Sequence, residues 1–424
     1  MNAIKSYSRP ELLELQQKLL KEYSDYKSSK LSLDMSRGKP GSEQLDLLEE
    51  MLSAIKTNED CFTQNNTDVR NYGLIDGIPE AKALFADLMG VTPDCVIVGG
   101  NSSLNMMYDS ISRAMTHGVL GSPSPWGKPD KVKFLCPAPG YDRHFSICEF
   151  FGIEMINIGM TPGGPDMDAI EKLVSNDKNI KGLWCVPLYS NPQGVTYSDE
   201  TVRRLAALKP AAPDFRIFWD NAYIVHHLSD KKDTLQNLLA LTKGTANENM
   251  VYQFVSTSKI SYPGAGVAAM SASSANVEFI KKQMFVQTIG PDKLNQLRHI
   301  KYLKSVDGIN NLMKKHAGIL KPKFDMVITK LNENLKNIAE FCAPNGGYFV
   351  SVDLVPGCAK RTLELLKDAG VVMTGAGATF PYGKDPKDSN IRIAPTFPPV
   401  SELKTAMELF CVCVKLATIE NALR

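Results

Sequence analysis

Hydrophobic and polar positions follow two alternating patterns along the chain. Short apolar runs predict buried β-strands at residues 95–98, 133–136, 154–158, 182–187, 216–219 and 250–255. Between these runs, apolar residues recur at the spacing of amphipathic helices, as over residues 80–90, 166–174 and 198–208. Buried strands that alternate with helices are typical of a mainly parallel sheet covered by helices on both faces. The sequence therefore predicts an α/β fold.

The pattern changes after residue 283, where long helices are predicted to about residue 337. A smaller unit follows, with predicted strands at residues 346–353, 371–374 and 390–394, a helix at 358–369 and a final helix from 400. Residues 10–27 form another predicted helix, which is expected to pack on the outside of a domain. Because 424 residues exceed what one hydrophobic core usually supports, two domains are expected.

One stretch, residues 255–266, combines several chemically distinctive residue types. Lys259 follows a predicted buried strand and lies among three small hydroxyl residues, with glycines and a proline after it. Loss of solvation lowers the pKa of a lysine and frees its amine as a nucleophile. Neighbouring hydroxyls suit a phosphate group. These features are typical of a lysine that binds pyridoxal phosphate covalently. The alternative is a surface lysine in a serine-rich turn.

Four other polar residues also follow predicted strands. Ligands of parallel sheets bind at the C-terminal ends of the strands, so these residues are expected to meet at one edge. Together with the lysine, the set is Asn101, Tyr141, Asn191, Asp220 and Lys259. The first of them belongs to a glycine-rich turn, residues 99–103, between a predicted strand and a predicted helix, which is a geometry that binds phosphate.

Composition argues against several functional classes. The formal net charge of +2 gives no reason to expect nucleic acid or an acidic membrane surface as a partner. No apolar run approaches the roughly 20 residues needed to cross a bilayer, and the N-terminus lacks a signal-peptide pattern. The nine cysteines have neither zinc-site nor disulfide-framework spacing. A cytoplasmic protein without a metal site is expected.

Six motifs now span the chain in a recognisable order, and together they resemble the class I aminotransferases among the fold-type I pyridoxal-phosphate enzymes. They are NYG at 71–73, SNPQG at 190–194, DNAY at 220–223, STSK at 256–259, NGGYFV at 345–350 and NIRIA at 390–394. The resemblance runs from about residue 35 to the end. Within the class, the sequence looks most like a divergent branch of aspartate aminotransferases.

This resemblance implies a domain organisation and an assembly. Residues 49–325 would form the large domain that binds pyridoxal 5′-phosphate. Residues 1–48 and 326–424 would together form a small α+β domain. Tyr72 matches a tyrosine that in this family reaches the phosphate of the neighbouring subunit, which implies a homodimer with shared active sites.

The resemblance also implies roles around the cofactor ring. Lys259 would bind the cofactor and then carry a proton, first as base and then as acid. Asp220 would pair with the pyridinium nitrogen and keep the ring an electron acceptor. Asn191 and Tyr223 would donate to the phenolic oxygen, and Tyr141 would stack on the ring.

The predicted phosphate site departs from the family pattern. Members usually carry an arginine eight residues after the lysine, whereas this chain has Val267. The phosphate would instead be bound by backbone amides and by hydroxyl and amide side chains. These belong to Asn101, Ser102, Ser103, Ser256 and the partner's Tyr72.

Substrate recognition is implied by a second group of residues. Arg392 would form two parallel bonds to the substrate α-carboxylate, with Gly38 and Asn191 beside it. A dicarboxylate also needs a distal cation, and Lys293, 34 residues after Lys259, is the favoured candidate. The alternatives are Arg37, Lys39, Arg298 and His299, and Lys293 itself could be a solvated residue of a turn.

The predicted activity is transfer of an amino group from an L-amino acid to a 2-oxo acid by a ping-pong mechanism. L-aspartate and 2-oxoglutarate are the favoured pair. A pyridoxal-phosphate-dependent β-lyase or decarboxylase is an alternative, because these enzymes share most of the residues named. Two others are an aminotransferase with a different amino-acid preference and a non-enzymatic regulator that uses the fold to bind a ligand.

Overall fold

A computed structural model describes residues 7–424 of the chain. The β-strands of this range are β1 (Leu33–Asp34), β2 (Val96–Val98), β3 (Lys133–Ala138), β4 (Glu154–Thr161), β5 (Gly164–Pro165), β6 (Ile180–Cys185), β7 (Arg216–Asp220), β8 (Val251–Ser256), β9 (Ala268–Ser271), β10 (Ala339–Phe341), β11 (Val350–Leu354), β12 (Val371–Val372) and β13 (Asn390–Ile393).

The α-helices alternate with the strands through the first two thirds of the chain. They are α1 (Arg9–Ser28), α2 (Ser42–Asp46), α3 (Pro79–Met89), α4 (Ser103–His117), α5 (Asp142–Phe150), α6 (Met167–Asn176), α7 (Asp199–Ala206), α8 (Leu238–Thr242), α9 (Ser274–Gln287), α10 (Lys293–Leu303), α11 (Val306–Leu335), α12 (Ala359–Asp368) and α13 (Val400–Leu423). None of the helices within residues 7–424 is long and apolar enough to cross a membrane.

Eight strands form one large sheet in the order β2-β9-β8-β7-β6-β3-β4-β5. The neighbouring pairs from β8 to β4 are parallel. In contrast, β9 is antiparallel to both β8 and β2, and β5 is antiparallel to β4. Because β9 is reversed between them, β2 runs in the same direction as β8. The prediction of a mainly parallel sheet is confirmed, with two reversed strands that the apolar pattern did not reveal.

Alternate residues of the central strands enter separate cores on the two faces of the sheet. Phe134, Trp184 and Phe218 pack on one face with residues of α4, α5 and α9. Their neighbours Leu135, Leu183 and Ile217 pack on the other face with α6 and α7. Successive side chains of a strand point to opposite faces, so a strand buried on both faces needs a continuous apolar run. The helices on both faces were predicted from these runs.

A smaller antiparallel sheet of β10, β11 and β13 lies in the C-terminal part of the chain. Its core also contains Leu12, Leu19 and Tyr23 of α1, packed with α11 and α13. Separately, β1 pairs with β12 in parallel. The first and last segments of the chain therefore share one hydrophobic core. The proposed boundaries at residues 48 and 325 stay predictions, and the second of them lies inside α11.

One predicted strand begins later than its sequence suggested. The apolar run at 346–353 forms β11 only from Val350. Gly347 has a φ of +86°, which turns the backbone out of the strand direction. Gly346 forms an isolated bridge to His227. The two glycines let this segment pack against Tyr189 and His226, in the loops that follow β6 and β7.

Candidate active site

The directions of the strands bring the predicted site residues to one edge of the large sheet. Asp220 ends β7, and Lys259 lies three residues after β8. Tyr141, Asn191 and Asn101 follow the C-terminal ends of β3, β6 and β2. All five strands run in the same direction because β9 alone is reversed among them. The prediction that these residues meet at one sheet edge agrees with this topology, while their individual roles stay predictions.

Asp220 is buried, with only one of its two oxygens hydrogen-bonded. Its Oδ2 lies 3.0 Å from Nε2 of His144, and its Oδ1 has no partner among the described residues. The His144 ring stacks on Trp184, with 4.2 Å between centroids and 5° between planes. An unpaired buried carboxylate oxygen is energetically unfavourable. The site is therefore suited to a ligand that presents a hydrogen-bond donor to Oδ1.

Lys259 has its amine close to two aromatic rings. Nζ lies 5.1 Å from the ring centroid of Tyr223 and 5.7 Å from that of Tyr348. Burial lowers the pKa of Lys259, the Asp220 carboxylate opposes this shift, and Arg392 adds to it. Burial also raises the pKa of Tyr223 well above its ordinary value. Burial thus shifts both groups towards their uncharged forms, which is the direction that a nucleophilic lysine requires.

Arg392 lies on β13 and is 7% exposed. Its Nη1 donates to Oδ1 of Asn191 at 3.1 Å and to Oδ1 of Asp142 at 3.1 Å. Its Nη2 donates to Oγ1 of Thr374 at 3.2 Å, while Nε is buried without a partner in residues 7–424. Cζ lies 4.8 Å from the centroid of the Phe349 ring. The guanidinium is held in place and still has a free donor.

Gly38 lies directly against the Phe349 ring that contacts Arg392. A Cβ atom at residue 38 would collide with Cζ of Phe349. Its neighbours Arg37 and Lys39 are exposed, and Nζ of Lys39 lies 3.9 Å from the centroid of the Phe397 ring. The absence of a side chain at residue 38 therefore leaves room for the ring beside the guanidinium.

The glycine-rich turn after β2 leads into the N-terminus of α4. Ser102 caps this helix, since its Oγ accepts from the backbone N–H of Leu104 at 3.2 Å. Oγ of Ser258 lies 3.1 Å from Oγ of Ser256 and 3.5 Å from the carbonyl oxygen of Asn101. A capped helix N-terminus with several hydroxyls nearby is suited to an anion.

Backbone hydrogen bonds connect this turn to the segment that carries Lys259. The N–H of Gly99 donates to the carbonyl of Ala268, and the N–H of Ala268 donates to the carbonyl of Gly100, both at 2.8 Å. Val267, in place of the family's arginine, is buried, and its N–H donates to Oγ1 of Thr257 at 2.9 Å. The valine packs in a hydrophobic core with Val98 and Val255, and hydroxyls and amides remain as donors.

Side chains of α10 hold the same loop from behind. Nδ2 of Asn295 donates to the carbonyl oxygens of Ala265 and Gly266 at 3.0 and 2.8 Å. His299 is buried, with Nε2 2.8 Å from Oγ of Ser261 and Nδ1 2.8 Å from the carbonyl of Asn295. A carbonyl only accepts, so Nδ1 carries the proton and Nε2 accepts from the serine. Burial lowers the pKa of His299 to about 4, which makes it neutral and unsuited to binding a carboxylate.

Two predicted site residues stand apart from this group. The Tyr72 ring is 82% exposed and makes no contact with the site residues described in its own chain. Lys293 begins α10 and is buried, and its ammonium group has no hydrogen-bond or ion-pair partner among residues 7–424. Arg298 lies nearby and lines a 620 Å³ cleft together with residues 99–101 and 264–267.

Sequence reasoning did not identify His144, Asp142 or Thr374 as part of the site. His144 follows Tyr141 by three residues at the start of α5, and this one-turn spacing places both near Asp220. The spacing was visible in the sequence. Thr374 follows the short β12 in a segment without motif features, and only the folded chain brings it to Arg392.

The fold and the arrangement of the site define a fold-type I aminotransferase. A family model described as "Aspartate amino-transferase" matches residues 7–424, and the chain belongs to this family. It is 45% identical to the aspartate aminotransferase of Corynebacterium glutamicum over 403 residues, which cover 95% of this chain and 93% of that protein.

Solved structures agree with this assignment. A crystal structure of an aspartate transaminase from Corynebacterium glutamicum superposes with a TM-score of 0.96 at 43% identity, over 99% of each chain. An α-aminoadipate aminotransferase from Thermus thermophilus, complexed with N-(5′-phosphopyridoxyl)-L-leucine, has a TM-score of 0.73 at 17% identity over 95% of each chain. At that identity the likeness concerns the fold alone.

Proposed function

We propose that this aminotransferase uses pyridoxal 5′-phosphate to move an amino group from L-aspartate to 2-oxoglutarate in a ping-pong reaction. The observation that carries the proposal is that two unusual buried groups lie at the same edge of the large sheet. One is Asp220, whose buried Oδ1 has no partner in the described chain, and the other is Lys259, whose pKa is lowered by burial.

The residues of the site fit this cofactor. Oδ1 of Asp220 would accept from the ring nitrogen, and Asn191 and Tyr223 would donate to the phenolic oxygen. The N-terminus of α4, with Ser102, Ser103, Asn101 and Ser256, would bind the phosphate. When bound, pyridoxal phosphate supplies an aldehyde for the amine and an electron-accepting ring.

His144 would act on the ring nitrogen through Asp220. Its Nε2 lies 3.0 Å from Oδ2, and its stacking on Trp184 fixes the ring plane. A hydrogen bond to one carboxylate oxygen fixes the orientation of the group and leaves the other oxygen available to the ligand. Tyr141 would stack on the cofactor, since its ring lies 4.9 Å from His144 beside the carboxylate.

Lys259 would hold the cofactor between turnovers and then transfer protons. Once released, an uncharged amine can take the proton from the substrate Cα and return it to the acceptor carbon. Burial lowers the pKa of Lys259, which favours the first of these steps. The aromatic rings of Tyr223 and Tyr348 flank Nζ on its way to the substrate.

Arg392 would bind the substrate α-carboxylate. Its guanidinium is held by Asn191 and Thr374 and packed against Phe349. Two parallel charge-assisted bonds would fix the orientation of the Cα–H bond towards Lys259. Lys293 remains the candidate for the distal carboxylate, supported by a largely buried side chain whose ammonium group has no protein partner in the described chain.

A second copy of the chain would complete the site. Tyr72, Phe285, Val286 and Ile289 expose 82%, 80%, 90% and 61% of their surface. The segments that carry them adjoin, because a Cβ at residue 290 would lie 2.5 Å from the carbonyl oxygen of Gly73. Exposed apolar patches of this kind mark association surfaces. The partner's Tyr72 would then reach the phosphate.

An absorption spectrum of the purified protein tests the proposal. Incubation with pyridoxal phosphate should give a yellow protein whose near-visible band disappears when L-aspartate is added without any oxo acid. Lys259→Ala should not form the band. If the protein stays colourless, the cofactor proposal is wrong. If another amino acid bleaches the band and aspartate does not, only the substrate is wrong, and release of ammonia and pyruvate would indicate a lyase.

A further inference from the structure

Arg392, which is proposed to bind the substrate carboxylate, already forms an ion pair with a carboxylate of the protein itself. Oδ1 of Asp142 lies 3.1 Å from Nη1 of Arg392. Asp142 is the first residue of α5 and directly follows Tyr141. No motif or spacing assigned it a role. Its position raises the question of what it does when a substrate arrives.

The two members of this ion pair differ in freedom to move. The side chain of Arg392 is 7% exposed, and it is held by Asn191, Thr374 and the Phe349 ring. The side chain of Asp142 is 34% exposed, and Arg392 is the one partner that its carboxylate has among the described residues. Asp142 can therefore turn into solvent while Arg392 stays in place.

The other direct contacts of the guanidinium are with uncharged groups. Asn191 and Thr374 contribute neutral oxygens, Phe349 contributes a ring face, and Nε has no partner in the described range. Asp142 is thus the single carboxylate that neutralises Arg392 in residues 7–424. If a second carboxylate bound the same guanidinium, it and Asp142 would share one positive charge. The two negative charges would then lie close together and repel each other.

We infer that Asp142 competes with the substrate carboxylate for Arg392. This inference rests on the proposed function, in which Arg392 binds that carboxylate. In the empty site, Asp142 neutralises and orients the buried guanidinium, and it gives way when a substrate binds. It is a positioning residue that acts through Arg392. Its charge lowers the affinity of the site for every carboxylate ligand.

Competition between Asp142 and the bound carboxylate would help the enzyme to release its products. Both substrates and both products of the reaction are α-carboxylates, so the same guanidinium has to release a product in each half of the cycle. A resident carboxylate that returns to Arg392 favours this release. A high affinity for the product would instead slow each half-reaction.

The alternative is that Asp142 only orients Arg392, and it leads to the opposite expectation. In that case, removal of the carboxylate would loosen the guanidinium and weaken binding of all carboxylates. The Asp142→Asn variant separates the two possibilities because it keeps an oxygen next to Nη1 and removes the charge. Thr374→Val is the matched control, since it removes a neutral partner of the same guanidinium.

The experiment measures inhibition of the holoenzyme by propionate, a carboxylate without an amino group, and by its uncharged amide. We expect Asp142→Asn to lower the inhibition constant of propionate, and the KM of the amino acid, by about fivefold to tenfold. Inhibition by propionamide should not change. Thr374→Val should not tighten propionate binding. An unchanged or higher inhibition constant in Asp142→Asn would overturn the inference.

Arg392→Gln distinguishes this inference from the proposed function. If Arg392→Gln binds propionate as well as the wild type does, Arg392 is not the carboxylate site and both proposals are wrong. If Arg392→Gln loses propionate while Asp142→Asn gains nothing, only the role of Asp142 is wrong. Each variant is first checked for the yellow cofactor band and the wild-type melting temperature. Asp142→Ser replaces Asp142→Asn if the latter does not fold.

Discussion

At the scale of single residues, the site is defined by unsatisfied groups as much as by bonds. Oδ1 of Asp220 and Nε of Arg392 are both buried without partners in the described chain. Buried polar groups are normally hydrogen-bonded, so such atoms indicate where a ligand supplies the missing partner. One is an acceptor and the other a donor. A ligand that satisfies both carries a protonated nitrogen at one end of the site and an anion at the other.

Gly38 gives the first prediction at this scale. A Cβ at residue 38 would collide with the Phe349 ring, which lies on the guanidinium of Arg392. We expect Gly38→Ala to move the ring and to raise the KM of the amino-acid substrate by about tenfold, with a smaller change in kcat. Steady-state kinetics measure both quantities.

Gly318→Ala is the control for this variant, because a Cβ at residue 318 of α11 would meet nothing within 4 Å. Its kinetic constants should equal those of the wild type. If Gly38→Ala also retains the wild-type KM, the contact between residue 38 and the ring has no part in substrate binding.

The sequence revealed the residues that carry chemistry at strand ends better than it revealed their neighbours. Asp220 directly after an apolar run, and Lys259 among the hydroxyl residues after another, are both unusual, and the structure places both at the predicted edge. Asp142 and Thr374 gave no such signal. Their proximity to Arg392 arises from contacts across 250 and 18 residues of sequence, which periodicity does not encode.

At the scale of elements, α10 determines how the lysine-bearing loop is held. His299 accepts a hydrogen bond from Ser261, and Asn295 binds two loop carbonyls. The first contact requires a neutral imidazole, and burial lowers the pKa of His299 to about 4 from an ordinary value of 6.5. The unfolded chain therefore binds a proton more readily than the folded one between these pH values.

This difference predicts a loss of stability in mild acid. The contribution of His299 to the free energy of unfolding is present at pH 7 and is lost as the pH falls towards 4. By pH 5 the loss is about 2 kcal/mol. We expect His299→Gln to be less stable than the wild type at pH 7 and to lose less on acidification. Urea unfolding at pH 7 and pH 5, at one protein concentration, measures the difference.

His117→Gln is the matched control, since His117 is exposed at the end of α4. It should lose as much stability between pH 7 and pH 5 as the wild type does. If His299→Gln loses the same amount as well, the buried histidine does not contribute to the acid sensitivity.

Element boundaries were predicted best where an apolar run filled a whole strand. Strands β7 and β8 begin and end within one residue of their predicted limits. Strand β9 was not predicted at all, and its run of four small and apolar residues would not have shown which way it runs. Direction follows from the length and contacts of the connecting loop, which sequence pattern alone does not specify.

At the scale of the whole molecule, the exposed patch around Tyr72 predicts shared active sites. If Tyr72 serves the neighbouring subunit, each active site takes Lys259 from one subunit and Tyr72 from the other. Tyr72→Ala and Lys259→Ala then remove residues that different subunits supply to the same site. A mixed dimer of the two variants then contains one intact site. We expect random mixing of the two inactive variants to restore about a quarter of the wild-type activity.

Mixing Lys259→Ala with Asp220→Asn is the control, because both residues belong to the same chain's contribution and no intact site results. Activity after refolding the mixed subunits is the measurement. Restoration in the control, or none in the test mixture, would contradict the proposed assembly. Sequence alone showed only a resemblance for Tyr72, since exposure of a ring becomes visible only in the folded chain.

The reversed strand β9 has a consequence for how this protein tolerates mutation. It joins the glycine-rich turn to the lysine-bearing loop through bonds between main-chain atoms of Gly99, Gly100 and Ala268. Substitution of a side chain does not remove such bonds. The distance between the anion-binding turn and Lys259 therefore does not depend on which side chains surround them. A lineage with this framework could exchange an arginine for Val267 and retain a working distance between the two ends of the site.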